Sequence, residues 1–202
     1  MTSSSVSPSW LPVPGQCRVS QLKAMVRSIE GLTAQQRYAV LAKVGDPALR
    51  AIESAPASGW LPISLNFLLV EAIYELAGPQ ATRDWSRRLS LETFSTGLMR
   101  AVVKGMQAIL ELSPKTWFKR VAGGWNAVYR DGGEVVVEVD PYVERVVLKF
   151  LNTPMEMRTD GFMTSMAGGF DAVLELTHVK GRATPTLRGE VIEVDITWMA
   201  RK

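Results

Sequence analysis

The sequence predicts an α+β fold: a helical N-terminal half, then a four-stranded antiparallel sheet in the order α-ββ-α-ββ, with helices on one face. Three observations carry this. The apolar period is near 3.6 residues as far as the segment around Tyr129 and changes to 2 after Asp131-Gly132-Gly133. Two segments, AGGWNAVY at 122–129 and AGGFDAVL at 167–174, spell nearly the same letters, each on a helix that feeds a hairpin. The chain of 202 residues is 47% hydrophobic and 21% charged, and so is long and apolar enough to bury a real core.

The elements follow in order. Residues 1–17, rich in Ser and Pro at the start, read as a flexible tail ahead of a single domain over 18–202. Val19, Leu22, Met25, Val26 and Ile29 form one helical stripe, closed by Gly31. Thr33 and Gln36 have the spacing of a capping box, opening a helix that runs to Gly45. Asp46-Pro47 starts a further short helix, since proline suits a first helical turn. The loop SAPASGWLP leads to Ser64 as an N-cap. After it LNFLLVEAIYELAG is apolar over more than one face, as a central buried helix is. Gly78-Pro79 breaks it. Residues 81–112 read as one long or two shorter helices, with Trp85, Leu89, Phe94, Leu98, Val102, Met106 and Ile109 near one stripe. Ser113-Pro114 opens the next helix, which puts Trp117, Phe118, Val121, Trp125, Val128 and Tyr129 on one face.

In EVVVEVD the valines 135, 137 and 139 then face one way, and Glu134, Glu138 and Asp140 the other. VERVVLKFL returns with Val146, Leu148 and Phe150 on the apolar side and Arg145 and Lys149 on the polar side, which makes a hairpin with one wet face. FMTSMAGGFDAVLEL is a helix. RATPTLRGEVIEVDITW alternates most clearly of all, with Ile192, Val194, Ile196 and Trp198 against Glu193, Asp195 and Thr197.

Glycine inside a helix costs about 1 kcal/mol relative to alanine, so each Gly-Gly pair asks for a compensation. The expectation is that Gly124 and Gly169 lie where a helix meets the sheet or another helix, with no room for a side chain. The repeat is then either an internal duplication or two solutions of one packing problem. A phosphate-binding glycine loop is the weaker reading, because no GxGxxG or Walker pattern surrounds either pair.

No set of residues names a reaction. Cys17 is the one cysteine, which excludes an intramolecular disulfide framework and fits a reducing compartment. His178 is the one histidine, so no zinc or copper site of the usual nitrogen–sulfur type assembles within a chain, and no nucleophile motif accompanies it. It reads as a surface residue near a helix end. Glu134, Glu138 and Asp140 could do acid–base work or hold calcium, but Arg145 and Lys149 on the returning strand make cross-strand ion pairs the simpler reading. The tryptophans sit in apolar periodicity and read as core, although a pocket could lie among them.

The net charge of +3 hides an asymmetry. Residues 18–120 hold 14 Lys/Arg against 8 Asp/Glu, and residues 121–200 hold 7 against 12. Arg83, Arg87 and Arg88 with Lys115, Lys119 and Arg120 are the densest basic groups. They lack aromatics interleaved on the same face, so nucleic-acid binding is unlikely on this reading. No signal peptide and no membrane-length apolar run is present, which places the chain in the cytoplasm.

The succession WLP, a long helical middle, ELSPKTWFKRVAGGWNAVYRDGGEVVVEV, GGFDAVLEL and a closing VDITW strand resembles the myxobacterial paralogous family of proteins of about this length. The resemblance spans residues 18–198. That family is in turn similar to the haem-NO-binding, 4-vinyl-reductase and TRAPP-like fold. The resemblance implies a sensory or adaptor domain. It departs from the haem-binding members: the sole histidine comes after the second AGG helix, whereas their ligand precedes the sheet, and no Tyr-x-Ser-x-Arg motif occurs.

The expectation is therefore a non-enzymatic regulatory domain that binds a protein partner or a small apolar ligand. It has no catalytic residues, no metal and no cofactor, assigns no ligand-binding residues, and assembles as a dimer or larger. An enzyme with a pocket between helices and sheet is the alternative, and a weak nucleic-acid binder is another.

Overall fold

The computed structural model describes residues 15–95 and 113–200. Strand β1 (Gln16–Arg18) runs directly into helix α1 (Val19–Ser28). Gln16 and Cys17, counted with the tail in the sequence reading, thus belong to the fold. Successive strand residues face opposite ways, and Cys17 is the one that points inward, fully buried. Helix α1 buries Val19, Leu22 and Met25. Helix α2 (Ala34–Val44) opens with the expected capping box: Gln36 N–H donates to Thr33 Oγ1 at 3.3 Å, and Thr33 N–H donates to Gln36 Oε1 at 3.2 Å. Helix α3 (Asp46–Ser54) carries Pro47 in its first turn.

The stretch read as a loop contains strand β2 (Trp60–Pro62), which pairs antiparallel with β1. On the other edge of β1 lies β3 (Tyr129–Arg130). This three-stranded ribbon, in the order β2-β1-β3, ties the start of the helical half to its end.

Helix α4 (Ser64–Ser95) is the central element. Its first half buries Leu65, Phe67, Leu69, Val70 and Ile73, hence more than one face. At Gly78 the backbone leaves helical geometry with φ at +84°, Pro79 follows without an N–H to donate, and Thr82 Oγ1 donates to the Gly78 carbonyl at 2.9 Å. The stripe predicted through Leu98, Val102, Met106 and Ile109 lies outside the described residues.

After Ser113 the single predicted helix is two: α5 (Pro114–Phe118), with Ser113 Oγ accepting from Thr116 N–H at 3.2 Å, and α6 (Val121–Val128). Tyr129 does not continue α6. It is extended, because its backbone is paired with Cys17 in the ribbon.

The period-2 region forms strands β4 (Glu134–Val139) and β5 (Arg145–Leu151), then helix α7 (Asp160–Leu176), then strands β6 (Gly181–Arg188) and β7 (Val191–Trp198). The sheet order is β4-β5-β7-β6, antiparallel throughout. Register sets Val137 opposite Leu148 and Leu148 opposite Val194, so the apolar residues of neighbouring strands share one face. Val146, Leu148, Phe150, Ile192, Val194 and Ile196 are completely buried there. Helix α7 covers β6 and β7 and packs most extensively on α4. The predicted α+β architecture, with a helical half and a four-stranded antiparallel sheet, is the observed one.

Candidate functional site

Most residues singled out from the sequence serve the scaffold. His178 is exposed and ends α7 in the left-handed conformation, φ +56°. Lys149 Nζ meets Glu138 Oε1 at 2.6 Å, the predicted cross-strand pair. Arg145 turns the other way, onto β7, where its Nε and Nη2 grip Asp195 at 2.8 and 2.9 Å. Asp140 accepts from Tyr142 N–H and Val143 N–H, which hold its carboxyl below the usual range. A shallow depression of about 200 Å³ lies among Glu138, Val139, Asp140, Arg145 and Val147.

The basic group on α4 is consumed internally. Arg83 Nε donates to Asp171 at 2.6 Å and its Nη2 to the Ala183 carbonyl at 2.8 Å, while Ala183 N–H returns to Asp171 at 3.1 Å. Arg87 pairs with Glu175, and Arg88 donates to the Gly31 carbonyl. Lys115 faces Glu144. Arg83 and Arg87 thus lock α4 to α7.

The glycines divide. A side chain on Gly168 would collide with the Arg83 carbonyl, so α7 and α4 touch backbone to backbone there. Gly169 has ordinary clearance, 3.4 Å to Ser90 Oγ. Gly123 and Gly124 are exposed, with nothing among the described residues within 4 Å of where a Cβ would stand. The expectation that Gly124 and Gly169 are the close-packed positions is corrected: in the second segment it is Gly168, and in the first, among the described residues, it is neither.

The residues that converge are in the ribbon, which has two chemically different faces. Inward, Asn66 Nδ2 lies 3.2 Å from Met25 Sδ, 3.3 Å from Tyr129 Oη and 3.9 Å from Cys17 Sγ. Asn66 Oδ1 is buried and has no partner among the described residues. Burial pushes the Cys17 thiol up to about 12 and raises Tyr129 well above its ordinary value, the neighbouring Cys17 adding to the latter. Both therefore stay protonated, and Cys17 is a neutral packing group without thiolate character.

Outward, Arg18 Cζ stands 4.2 Å and Arg130 Cζ 4.1 Å from the Trp60 ring centroid, within cation–π range. Arg18 Nε donates to the Ala127 carbonyl at 3.3 Å and Nη1 to the Ser58 carbonyl at 3.1 Å. Sequence reasoning missed this constellation. Its three members come from three strands of two or three residues, too short to show a period, and only the ribbon pairing brings them together.

No protein-family model matches the sequence, and no curated protein sequence does. Solved structures do match in shape. The Fe(II) unliganded H-NOX protein from K. algicida has a TM-score of 0.61 at 10% identity over 91% of this chain and 97% of its own. An oxygen-binding H-NOX domain related to soluble guanylate cyclases gives 0.55 at 10% identity, over 91% and 95%. The H-NOX protein from S. oneidensis in the Fe(II)NO state gives 0.54 at 8% identity, over 88% and 99%. The chain has the H-NOX fold.

The H-NOX structures are described with Fe(II) and with haem, and the described residues of this chain do not fit a haem. The sole histidine is on the surface beyond α7. Rings meet between α6 and the sheet, Trp125 on Phe150 at 4.8 Å, and between helices, Phe118 on Phe170 at 6.0 Å and Phe67 on Phe162 at 5.5 Å. Among the described residues no group of His, Cys, Asp and Glu is arranged to hold a metal ion, and no helix is long and apolar enough to cross a membrane.

Proposed function

We propose that this chain is a non-enzymatic regulatory domain on an H-NOX scaffold that works in cytoplasmic signalling by binding a protein partner, without haem. The observation that carries it is the contrast between the ribbon's faces. The buried titratable groups are shifted away from reactivity, opposite to what a nucleophile or acid–base pair needs. The outer face instead displays tryptophan and arginine, the residue types that anchor protein interfaces. Membership of the myxobacterial paralogous family, suggested by the order of motifs, is part of the same proposal.

A small ligand, apolar apart from an acceptor atom, is the second reading, favoured by one observation: among the described residues the buried indole N–H groups of Trp117 and Trp125 have no acceptor. Self-association also belongs to the proposal. β4 and β6 are the sheet edges; β6 is blunted by Pro185, whereas β4 exposes Val136 at 41%. Light scattering that shows only the monomer at tens of micromolar counts against a dimer.

Native mass spectrometry of the protein isolated from its own cells tests the main reading. A stoichiometric protein companion supports it. A stoichiometric small molecule shifts the assignment to the second reading, and a haem adduct overturns both.

A further inference from the structure

We propose that Arg18, Trp60 and Arg130 on the outer face of the ribbon form a docking site for an acidic segment of a partner protein, recognised through guanidinium–carboxylate contacts. This rests on the partner-binding reading above and gives it a place and a chemistry. In the ribbon, inward Cys17, Leu61 and Tyr129 alternate with outward Gln16, Arg18, Trp60 and Arg130, so the pleat itself collects the two cations and the ring.

Several arginines elsewhere in the fold are answered by acid. Arg83, Arg87, Arg145, Arg158 and Arg188 each face a carboxylate. Arg18 and Arg130 face none among the described residues, although both stand about 4 Å from one ring centroid. Among the described residues Arg18 commits Nε and one Nη1 hydrogen to carbonyls and leaves Nη2 unspent, and the Arg130 side chain makes no hydrogen bond. The surface therefore holds two like charges side by side with most of their donors unused. An arriving carboxylate relieves the repulsion and finds forks already ordered by stacking on Trp60, so less freedom is lost on binding.

The geometry points to a protein acid and away from nucleic acid. A nucleic-acid strand needs a longer track of cations and an open ring on which to stack a base. Here Arg83 and Arg87 are tied to Asp171 and Glu175, and the indole already carries guanidiniums.

The test uses the full chain and a fluorescein-labelled hexaglutamate peptide, with binding read by anisotropy across a salt series. Arg130→Glu is the main variant, because Arg130 is exposed and its side chain, among the described residues, holds nothing but the ring. Arg182→Glu, an exposed arginine on β6, is the charge-matched control. Saturable, salt-sensitive binding is expected, weakened roughly tenfold or more by Arg130→Glu at unchanged melting temperature. Arg130→Lys should fall between, keeping the charge but losing the fork.

Equal loss in Arg182→Glu reduces the effect to net charge and overturns the site. No peptide binding, in a protein that still carries a companion in native mass spectrometry, overturns the site while the partner reading stands; absence of both defeats both. Tighter Arg130-dependent binding of a thymidine oligonucleotide replaces the acidic partner with nucleic acid. Arg130-dependent self-association in sedimentation replaces it with a second copy of the chain.

Discussion

AGGWNAVY and AGGFDAVL share their letters, and the structure shows which letters do the same job. Trp125 and Phe170 occupy the same position of the two segments, and both reach Phe150 on β5, at 4.8 and 6.2 Å. The glycines in front of them do not share a role. Gly168 lets α7 lie against the backbone of α4, whereas Gly123 and Gly124 open onto space among the described residues. The residue after the ring differs in consequence. Asp171 is locked to Arg83, while Asn126 is exposed. The last letter differs as well: Leu174 is plain core, and Tyr129 is drawn out of its helix into the ribbon beside Cys17. The lesson is that the aromatic anchor is common and the glycines are local. Likeness of letters identified one shared packing problem and suggested a second that, among the described residues, exists on only one side.

The largest expected effect removes what the segments share. Phe150→Ala deprives both Trp125 and Phe170 of their contact and should cost about 3–5 kcal/mol. At about 2–4 °C per kcal/mol for a chain of this size, a thermal melt will read it. A loss under 1 kcal/mol would break the comparison at its root.

The next asks whether the end of the first segment is sensitive to alkali. Cys17 has an ordinary pKa of 9.0 and is raised to about 12 in the fold by burial. The folded state therefore keeps a proton that the unfolded state loses. Its contribution is complete below pH 9 and is lost as pH rises from 9 toward 12, on the order of a few kcal/mol. Cys17→Ala should flatten that decline in denaturant titrations at successive pH values, whatever it does to stability at neutral pH. An unchanged alkaline slope contradicts the assignment.

Smaller again is the helix contact. Gly168→Leu should destabilise by about 1–3 kcal/mol or more through overpacking against α4, and Gly169→Leu by less. The reverse ranking would shift the contact by one residue. Smallest is Gly124→Ala, expected to raise stability by up to about 1 kcal/mol, since the alanine meets no described atom and restricts the unfolded chain. Loss of stability there would mean that the first segment is close-packed after all.

Much of this fold was legible because single-residue rules sufficed. Thr33 and Gln36 announce their capping box, Gly78-Pro79 its break, and the alternation from Val135 to Trp198 its sheet. What could not be read are the pairings at long range. Nothing local tells Arg18 that Trp60 and Arg130 will lie beside it, or Cys17 that Asn66 and Tyr129 will. The same limit explains why Arg145 was matched to β4: strand order in the sheet, β4-β5-β7-β6, decides that Asp195 is its neighbour on the other side. The partial misreading of the helix ending at Tyr129 has that cause too, since strand pairing with Cys17 overrides the helical period.

The central claim is that an H-NOX scaffold here serves binding without haem, its interior committed to rings such as Trp125, Phe150 and Phe170. Titration of haem into the purified full-length chain, followed by absorption spectroscopy, tests it most directly. The account predicts no saturable uptake and no Soret band beyond that of free haem with the same amount of an unrelated protein. A one-to-one titration with a shifted, stoichiometric Soret band would contradict it.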